Sequence, residues 1–280
     1  WRQTELYEQL QQADHIKTEF INIAAHELRT PIMPIIGYAE LLEEEEGLGH
    51  NEKRKESVTA IIRNAKRLQR LANDILDVTK IESKSLNIKK EKLNLNDLIL
   101  NVLDDIVINT KEEEFKGADN NNSNSNNSSN NRRKFLYKAS EEEIIIEADR
   151  TRLIQVISNL IDNAIKFTKE EGGTISIIVE KKKENNNNNN INNNDNKTKE
   201  EKEEKEIVIV SVKDTGTGID SEILPRLFSK FATKSYKGTG LGLFISKSII
   251  EDHGGKMWAE NNADGEKGAT FSFSIPIINQ

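Results

Sequence analysis

His26 lies in the segment FINIAAHELRTPI (Phe20–Ile32), between the apolar residues Ala24 and Leu28. On a helix each of these stands two residues, or about 200°, away, so the imidazole points off the apolar stripe toward solvent. Asn22, Arg29 and Thr30 fall at −4, +3 and +4, on the histidine's own face. Pro31 removes a backbone hydrogen bond mid-helix and can bend the chain there. An exposed imidazole beside Glu27 on a bent helix suits a nucleophile.

Three other clusters have the chemistry to hold a polyphosphate and a base. The helical segment DRTRLIQVISNLIDNAIKFT (Asp149–Thr168) carries Asn159 and Asn163 four apart, with Lys166 close by on the side opposite its apolar stripe. Amide oxygens ligate a hard cation such as Mg²⁺, and an ammonium neutralises phosphate. DTGTGID (Asp214–Asp220) follows the apolar strand IVIVSVK, so Asp214 at the strand end can accept a hydrogen bond from an exocyclic amine. In KGTGLGLFISKSII (Lys237–Ile250), Gly238, Gly240 and Gly242 run into an apolar helix, whose free N-terminal amides favour an anion. The pattern matches neither the P-loop nor the dinucleotide fingerprint. Each cluster alone also fits a solvated helix face or a generic turn.

These residues need two kinds of framework. Residues 1–83 read as helical: Leu6, Leu10, Ala13, Ile16 and Phe20 begin a stripe that continues through Ala24, Leu28, Ile32, Ile35, Ala39 and Leu42. The acidic stretch Glu43–Gly49 reads as a turn. Val58, Ile61, Ala65, Leu68, Ala72, Ile75 and Thr79 then form a heptad seam. One such hairpin has too little apolar surface to stand alone, so a homodimeric four-helix bundle through residues 1–83 is expected.

Further on, Leu86, Ile88, Leu93 and Leu95 suggest a strand and its exit, and Leu98–Ile108 an amphipathic helix. Strands are predicted at Phe135–Tyr137, Ile144–Glu147, Thr174–Lys181, Ile207–Lys213, Lys256–Glu260 and Thr270–Pro276, and helices at Arg150–Phe167 and Leu241–His253. The irregular mixture favours an α+β sandwich over a doubly wound fold. Asp119–Asn131 and Asn185–Asn196, the second followed by a Lys/Glu run, cannot bury enough apolar area to order and read as loop insertions.

Composition excludes several classes. With 40 Lys+Arg against 47 Asp+Glu, the net charge of −7 opposes nucleic-acid binding. The absence of cysteine rules out disulfides, Cys-ligated metal and a thiol nucleophile. No apolar run is long enough to span a membrane, and there is no signal peptide. The chain begins at Trp1 without Met and reads as a fragment whose upstream part is missing, expected in the cytoplasm unless that upstream part anchors the protein to a membrane.

Together, in this order and spacing, the clusters resemble the catalytic core of sensor histidine kinases. The motifs are HELRTP (His26–Pro31), NLIDNAIKF (Asn159–Phe167), DTGTGI, LFSKF (Leu227–Phe231) and GTGLGL (Gly238–Leu243). The resemblance implies an α+β chain: a signalling helix at 1–19, a dimerisation and phosphotransfer hairpin at 20–83, and an α/β ATP-binding sandwich with a mixed sheet at 84–280, with insertions at 119–131 and 185–204.

It also implies roles. His26 would accept the γ-phosphoryl group and Glu27 would take its ring proton, while Thr30 matches a position that orients water during dephosphorylation of the partner. Asn163, helped by Asn159, would hold Mg²⁺. Lys166 would meet phosphate, Phe167 would border ATP and Asp214 would recognise the adenine amine. Gly216, Gly218 and Ile219 would shape the adenine pocket, and Gly238, Thr239, Gly240, Leu241 and Gly242 would line the phosphates. Lys234 and Lys237, in a stretch (ATKSYK) short for the family's nucleotide lid, and Lys230 just before it can reach phosphate.

The function expected is therefore ATP-dependent autophosphorylation of His26, phosphotransfer to an Asp of a response-regulator receiver domain, and phosphatase activity. The rivals are another gyrase-like ATPase, which would lack HELRTP on a heptad hairpin, and a dimeric nucleotide-binding scaffold without phosphotransfer.

Overall fold

The computed structural model describes residues 23–42, 51–110, 115–117, 133–140, 142–184, 205–232, 239–263 and 266–278. The expected signalling helix, the Glu43–Gly49 turn and both Asn-rich insertions lie outside them. The chain forms two compact units: Trp1–Leu86 with Arg226–Ile245, and Asn87–Pro225 with Ser246–Gln280.

In the first unit, α1 covers residues 23–42 and α2 covers Asn51–Glu82. Arg67 on α2 reaches Glu27 on α1, Nη2 to Oε2, 3.3 Å. The packing of α2 departs from the single seam read in the sequence. Ala60, Leu71 and Val78 are buried, whereas Val58, Ile62 and Leu76 are exposed. Positions 60, 64, 67, 71, 74 and 78 turn inward within the unit, and 58, 62, 65, 69, 72 and 76 form a second, open stripe. Both step in alternating fours and threes, as does the seam read from the sequence, which shares Val58, Ala65 and Ala72 with the open stripe and no residue with the inward one. Ile32, Met33, Ile36 and Leu41 of α1 are also exposed.

The second unit begins with β1 (Glu91–Asn94) and α3 (Leu95–Thr110). Next come β2 (Phe115–Gly117), β3 (Lys134–Lys138) and β4 (Ile145–Ala148). Then follow α4 (Arg150–Phe167), β5 (Thr174–Glu184), β6 (Lys205–Asp214) and a 3₁₀ turn at Leu224–Arg226. Last are α5 (Gly242–Asp252), β7 (Lys256–Asn261) and β8 (Ala269–Pro276). The main sheet has the order β2-β3-β5-β6-β8-β7, and β1 pairs with β4 in a small second sheet. β2, β3 and β5 run parallel; β5, β6, β8 and β7 run antiparallel. The strand expected from Leu86 starts instead at Glu91, and the three-residue β2 carried no pattern to reveal it.

β3, β5 and β6 alternate as strands of a half-buried sheet should, whereas β8 is buried almost throughout. Tyr137, Ile177, Val212 and Phe271 lie side by side across four strands and are all buried. The stripe of α4, which contacts β5 and β6, is the one expected: Leu153, Val156, Ile157, Leu160, Ile161 and Ala164. Each large aliphatic side chain so buried contributes roughly 1.5–3 kcal/mol.

Both ends of α4 are fixed. Asp149 caps the start, its Oδ1 accepting from the Arg152 amide at 3.1 Å, while its Oδ2 accepts from the Lys89 amide at 2.9 Å. Burial raises the Asp149 pKa, but the amides of Lys89, Arg152 and Thr151 outweigh it, so the carboxyl stays below the usual carboxylate range. The Asp149 amide donates to Nε2 of buried His253, 2.9 Å, and His253 Nδ1 donates to the Ile249 carbonyl, 2.7 Å. At the other end, buried Arg133 donates from Nη2 to the Thr168 carbonyl, 3.0 Å.

Candidate active site

The residues singled out from the sequence divide between the two units. In the first, His26 is exposed on α1, as its spacing predicted. Thr30 is exposed as well; its hydroxyl donates to the His26 carbonyl at 3.0 Å, the usual back-bond of a helical threonine. Glu27 is largely shielded, with 15% of its side chain exposed, and is held by Arg67. Sequence reasoning missed Arg67, because its partner lies 40 residues away in the chain.

The same unit carries the described part of the glycine-rich segment; Lys234, Lys237 and Gly238 lie outside the described residues. The Phe231 amide donates to the Gly240 carbonyl at 2.9 Å, with φ of 60° at Phe231 and 67° at Gly240. The Thr239 hydroxyl accepts from the Leu241 amide at 3.2 Å and donates to Asp74 Oδ2 at 3.4 Å. Leu241 is buried, and α5 starts at Gly242. Lys230 pairs with Glu82, and its ammonium lies 5.3 Å from the Phe244 ring centre.

In the second unit, Asn159, Asn163 and Lys166 are half-buried on α4. Asn159 Nδ2 donates to Ser246 Oγ, 2.9 Å. Lys166 Nζ lies 4.8 Å above the ring of Phe167, which is 41% exposed. Asp214, the last residue of β6, is 3% exposed. Its Oδ1 accepts from the Gly216 amide at 2.7 Å and from the Ala269 amide at 3.4 Å. Burial pushes its pKa above the usual carboxylate range, and these two amides only partly offset that. Both hydrogen bonds end on Oδ1, so Oδ2 is the oxygen left to meet a donor. Gly216 is required by close approach: a Cβ there would lie 2.4 Å from the Phe167 carbonyl and 2.8 Å from Asp214 Oδ1. The end of α4 and the loop after β6 are thereby pressed together. Gly218 and Ile219 complete that loop, and the Ile219 amide and carbonyl both bind the side chain of Asn261. Asn261 was missed, because its partner Ile219 lies 42 residues away in the chain.

A divalent cation here would have to rely on amide oxygens, phosphate oxygens and water. Among the described residues, no three His, Asp or Glu side chains gather to hold a metal. The oxygen side of the Asn163 and Asn159 amides on α4 fits that requirement. Among the described residues, no helix is long and apolar enough to cross a membrane.

Comparison with known proteins divides the chain differently, placing the glycine-rich segment with the ATPase region. Residues 16–84 match the His Kinase A (phospho-acceptor) domain, and residues 148–279 match the histidine kinase-, DNA gyrase B-, and HSP90-like ATPase. Sensor protein SrrB of Staphylococcus aureus (strain N315) is 33% identical over 270 residues, covering 94% of this chain and 38% of that protein. Hybrid signal transduction histidine kinase D of Dictyostelium discoideum is 28% identical, covering 97% of this chain and 15% of that protein. The chain therefore spans well under half the length of these curated relatives. Acinetobacter baumannii histidine kinase AdeS shares the fold, with a TM-score of 0.58 at 20% identity over 91% of this chain and 98% of that one. A phospho-acceptor helical hairpin followed by an ATP-binding α/β domain with a mixed sheet, in one chain, makes this protein a member of the sensor histidine kinase family.

Proposed function

We propose that this chain is the catalytic core of an ATP-dependent protein-histidine kinase. It phosphorylates His26 and passes the group to an aspartate of a response-regulator receiver domain. The observation that carries this reading is the exposure of His26, in a phospho-acceptor helix of the same chain as the ATPase domain. We set the functional boundary at residue 84, between a hairpin at 20–83 and a catalytic region at 84–280.

An imidazole nitrogen of His26 attacks the γ-phosphorus of ATP. The bond to the β–γ bridging oxygen breaks, ADP leaves, and the ring proton passes to Glu27. Arg67 keeps the Glu27 carboxylate in place beside the histidine. Asp214 accepts from the adenine amine through Oδ2, and the loop Gly216–Ile219 frames the ring. Phe167 borders the nucleotide and Lys166 neutralises phosphate charge. Thr239, Gly240 and Gly242, together with Gly238, offer amides at the start of α5 to the phosphates, and Leu241 offers its own on leaving the Thr239 hydroxyl. Lys230 or Lys237 adds a cation there, Lys230 only on leaving Glu82. Asn163 and Asn159 would hold Mg²⁺, which supplies charge neutralisation on the phosphates. Such a reaction depends on positioning and electrostatics rather than on protein covalent chemistry.

Two partners follow. The open stripe of Val58, Ile62 and Leu76, with Ile32, Met33 and Ile36, is what a second copy would cover in a four-helix bundle. The receiver domain meets His26, and Thr30 orients water when the regulator is dephosphorylated. Incubation with γ-labelled ATP and Mg²⁺ tests the reading: acid-labile, alkali-stable label on His26 supports it. Nucleotide binding without label would identify a scaffold instead.

A further inference from the structure

The loop after β6 is built almost entirely from residues with no reason of their own to hold one shape. Thr215, Gly216, Thr217 and Gly218 make a flexible run. Yet the loop has to present Asp214 and its neighbours in a fixed arrangement if it is to recognise a base. The β6–β8 pairing ends at Lys213–Thr270, and on the β5 side the ladder reaches only Asp214 and the Thr215 amide, which donates to the Thr174 carbonyl at 3.1 Å. Beyond Thr215 the far end of the loop is held from the β7–β8 hairpin.

Asn261, the last residue of β7, binds Ile219 twice. Its Oδ1 accepts from the Ile219 amide at 2.6 Å, and its Nδ2 donates to the Ile219 carbonyl at 3.0 Å. The carboxamide thus substitutes for a rung of backbone ladder. Asn262 does the same work at the other end of the loop. Its Nδ2 donates to the Asp214 carbonyl at 2.8 Å and to the Lys267 carbonyl at 3.0 Å, while its Oδ1 accepts from Thr270 Oγ1 at 2.8 Å. Gly268 lies flat against the same carbonyl: a Cβ on it would come to 2.0 Å from Asp214 O. The adjacent Ala269 amide reaches Asp214 Oδ1. One hairpin therefore grips both ends of the loop, Asp214 and Ile219, while between them Thr215 bonds to Thr174 of β5 and Gly216 is buried against the Phe167 carbonyl.

We propose that Asn261 and Asn262 are positioning residues for nucleotide recognition, clamping the Asp214–Ile219 loop so that Asp214 meets adenine in one orientation. The inference rests on the reading of this unit as an ATP site. Neither asparagine touches the reacting phosphates, so the clamp governs affinity and base discrimination and leaves the chemical step alone. An amide is needed at each position because each supplies a donor and an acceptor to groups of opposite kind. Asn261→Asp keeps the acceptor for the Ile219 amide and loses the donor to its carbonyl, so it should fall between Asn261→Ala and the unaltered chain.

The test uses the whole chain in two measurements. Hydrogen exchange is followed at residues 214–219 without nucleotide, and ATP and GTP binding and autophosphorylation are measured with Mg²⁺. In Asn261→Ala and Asn262→Ala the loop should exchange faster while β5 and β6 keep their protection. The ATP dissociation constant and KM should rise about tenfold, discrimination against GTP should shrink, and kcat at saturating ATP should hold. Unchanged loop exchange in both variants would overturn the clamp. Faster exchange with unchanged ATP affinity and base preference would overturn its role in recognition. A failure of the unaltered chain to bind ATP would instead overturn the nucleotide reading, and the exchange measurement would still judge the clamp.

Discussion

Asn159 Nδ2 donates to the hydroxyl of Ser246 at 2.9 Å, joining the middle of α4 to α5. The bond uses the nitrogen end of the amide and so sets which way its oxygen points. Asn159, read from sequence as a cation ligand, is thus oriented by a residue that carries no motif of its own. Ser246 is 1% exposed, so its hydroxyl has no water to fall back on.

Ser246→Ala should therefore cost about 1 kcal/mol of stability, the usual net worth of such a bond with its partner left unpaired. It should also weaken Mg²⁺–ATP binding severalfold, because the Asn159 amide is then free to rotate. Denaturant unfolding and nucleotide titration of Ser246→Ala, Asn159→Ala and the double variant measure the coupling. Strictly additive losses would mean that the two side chains act independently.

Asp74 makes the stability of the helical unit depend on pH. Its pKa is raised from 3.8 to about 6, chiefly by burial and further by Asp77, while the Thr239 hydroxyl and Arg70 pull it down. A folded pKa above the unfolded one means that folding favours the protonated carboxyl. That stabilisation is full below about pH 4 and is lost as pH rises through about 6. Asp74→Asn removes the titration while keeping the shape. The melting temperature of the variant minus that of the unaltered chain should grow between pH 4 and pH 7. A difference that stays flat across this range would show that Asp74 titrates normally.

Gly216→Ala places a methyl group 2.4 Å from the Phe167 carbonyl, so either α4 or the loop must shift. ATP affinity should fall by about tenfold or more, since small displacements of a binding group are costly. Because the clash is local, the sheet should melt within a few degrees of the unaltered chain. Calorimetric titration with ATP checks it, and unchanged affinity would mean that the loop yields without consequence.

How much of this was legible in the sequence varied with the range of the interaction. The buried stripe of α4 was read residue by residue, because helical periodicity is a local property and the segment is long. Six strands were placed within three residues at each end for the same reason. The three residues of β2 are too few to show a period, and the alternation of Leu86 and Ile88 found no partner strand. On α2 the seam read from the sequence fell toward the open side, because the inward and outward heptad stripes share one repeat that periodicity does not tell apart. Among site residues, Asp214, Gly216 and Asn159 stood inside recognisable segments. Ser246, Asn261, Asn262 and Arg67 act through contacts 40 to 87 residues away, which no local pattern encodes.

Thr30 should separate two activities. Its hydroxyl is exposed and shares a face with His26, but it is too weakly basic to activate the imidazole. Thr30→Ala should keep most autophosphorylation and lose most phosphatase activity toward a phosphorylated receiver domain, since that step needs a positioned water. Both rates are to be measured on one preparation. Equal losses would reduce Thr30 to a support for the helix near Pro31.

Phosphorylation of His26 is the step on which every other role depends. The unaltered chain and His26→Gln are to be incubated with γ-labelled ATP and Mg²⁺, and the label on each tested for stability in acid and alkali. The unaltered chain should acquire acid-labile, alkali-stable label, whereas His26→Gln should acquire none while binding ATP and self-associating normally. Acid-labile label persisting on His26→Gln, or an unaltered chain that binds ATP yet never becomes labelled, would contradict the account.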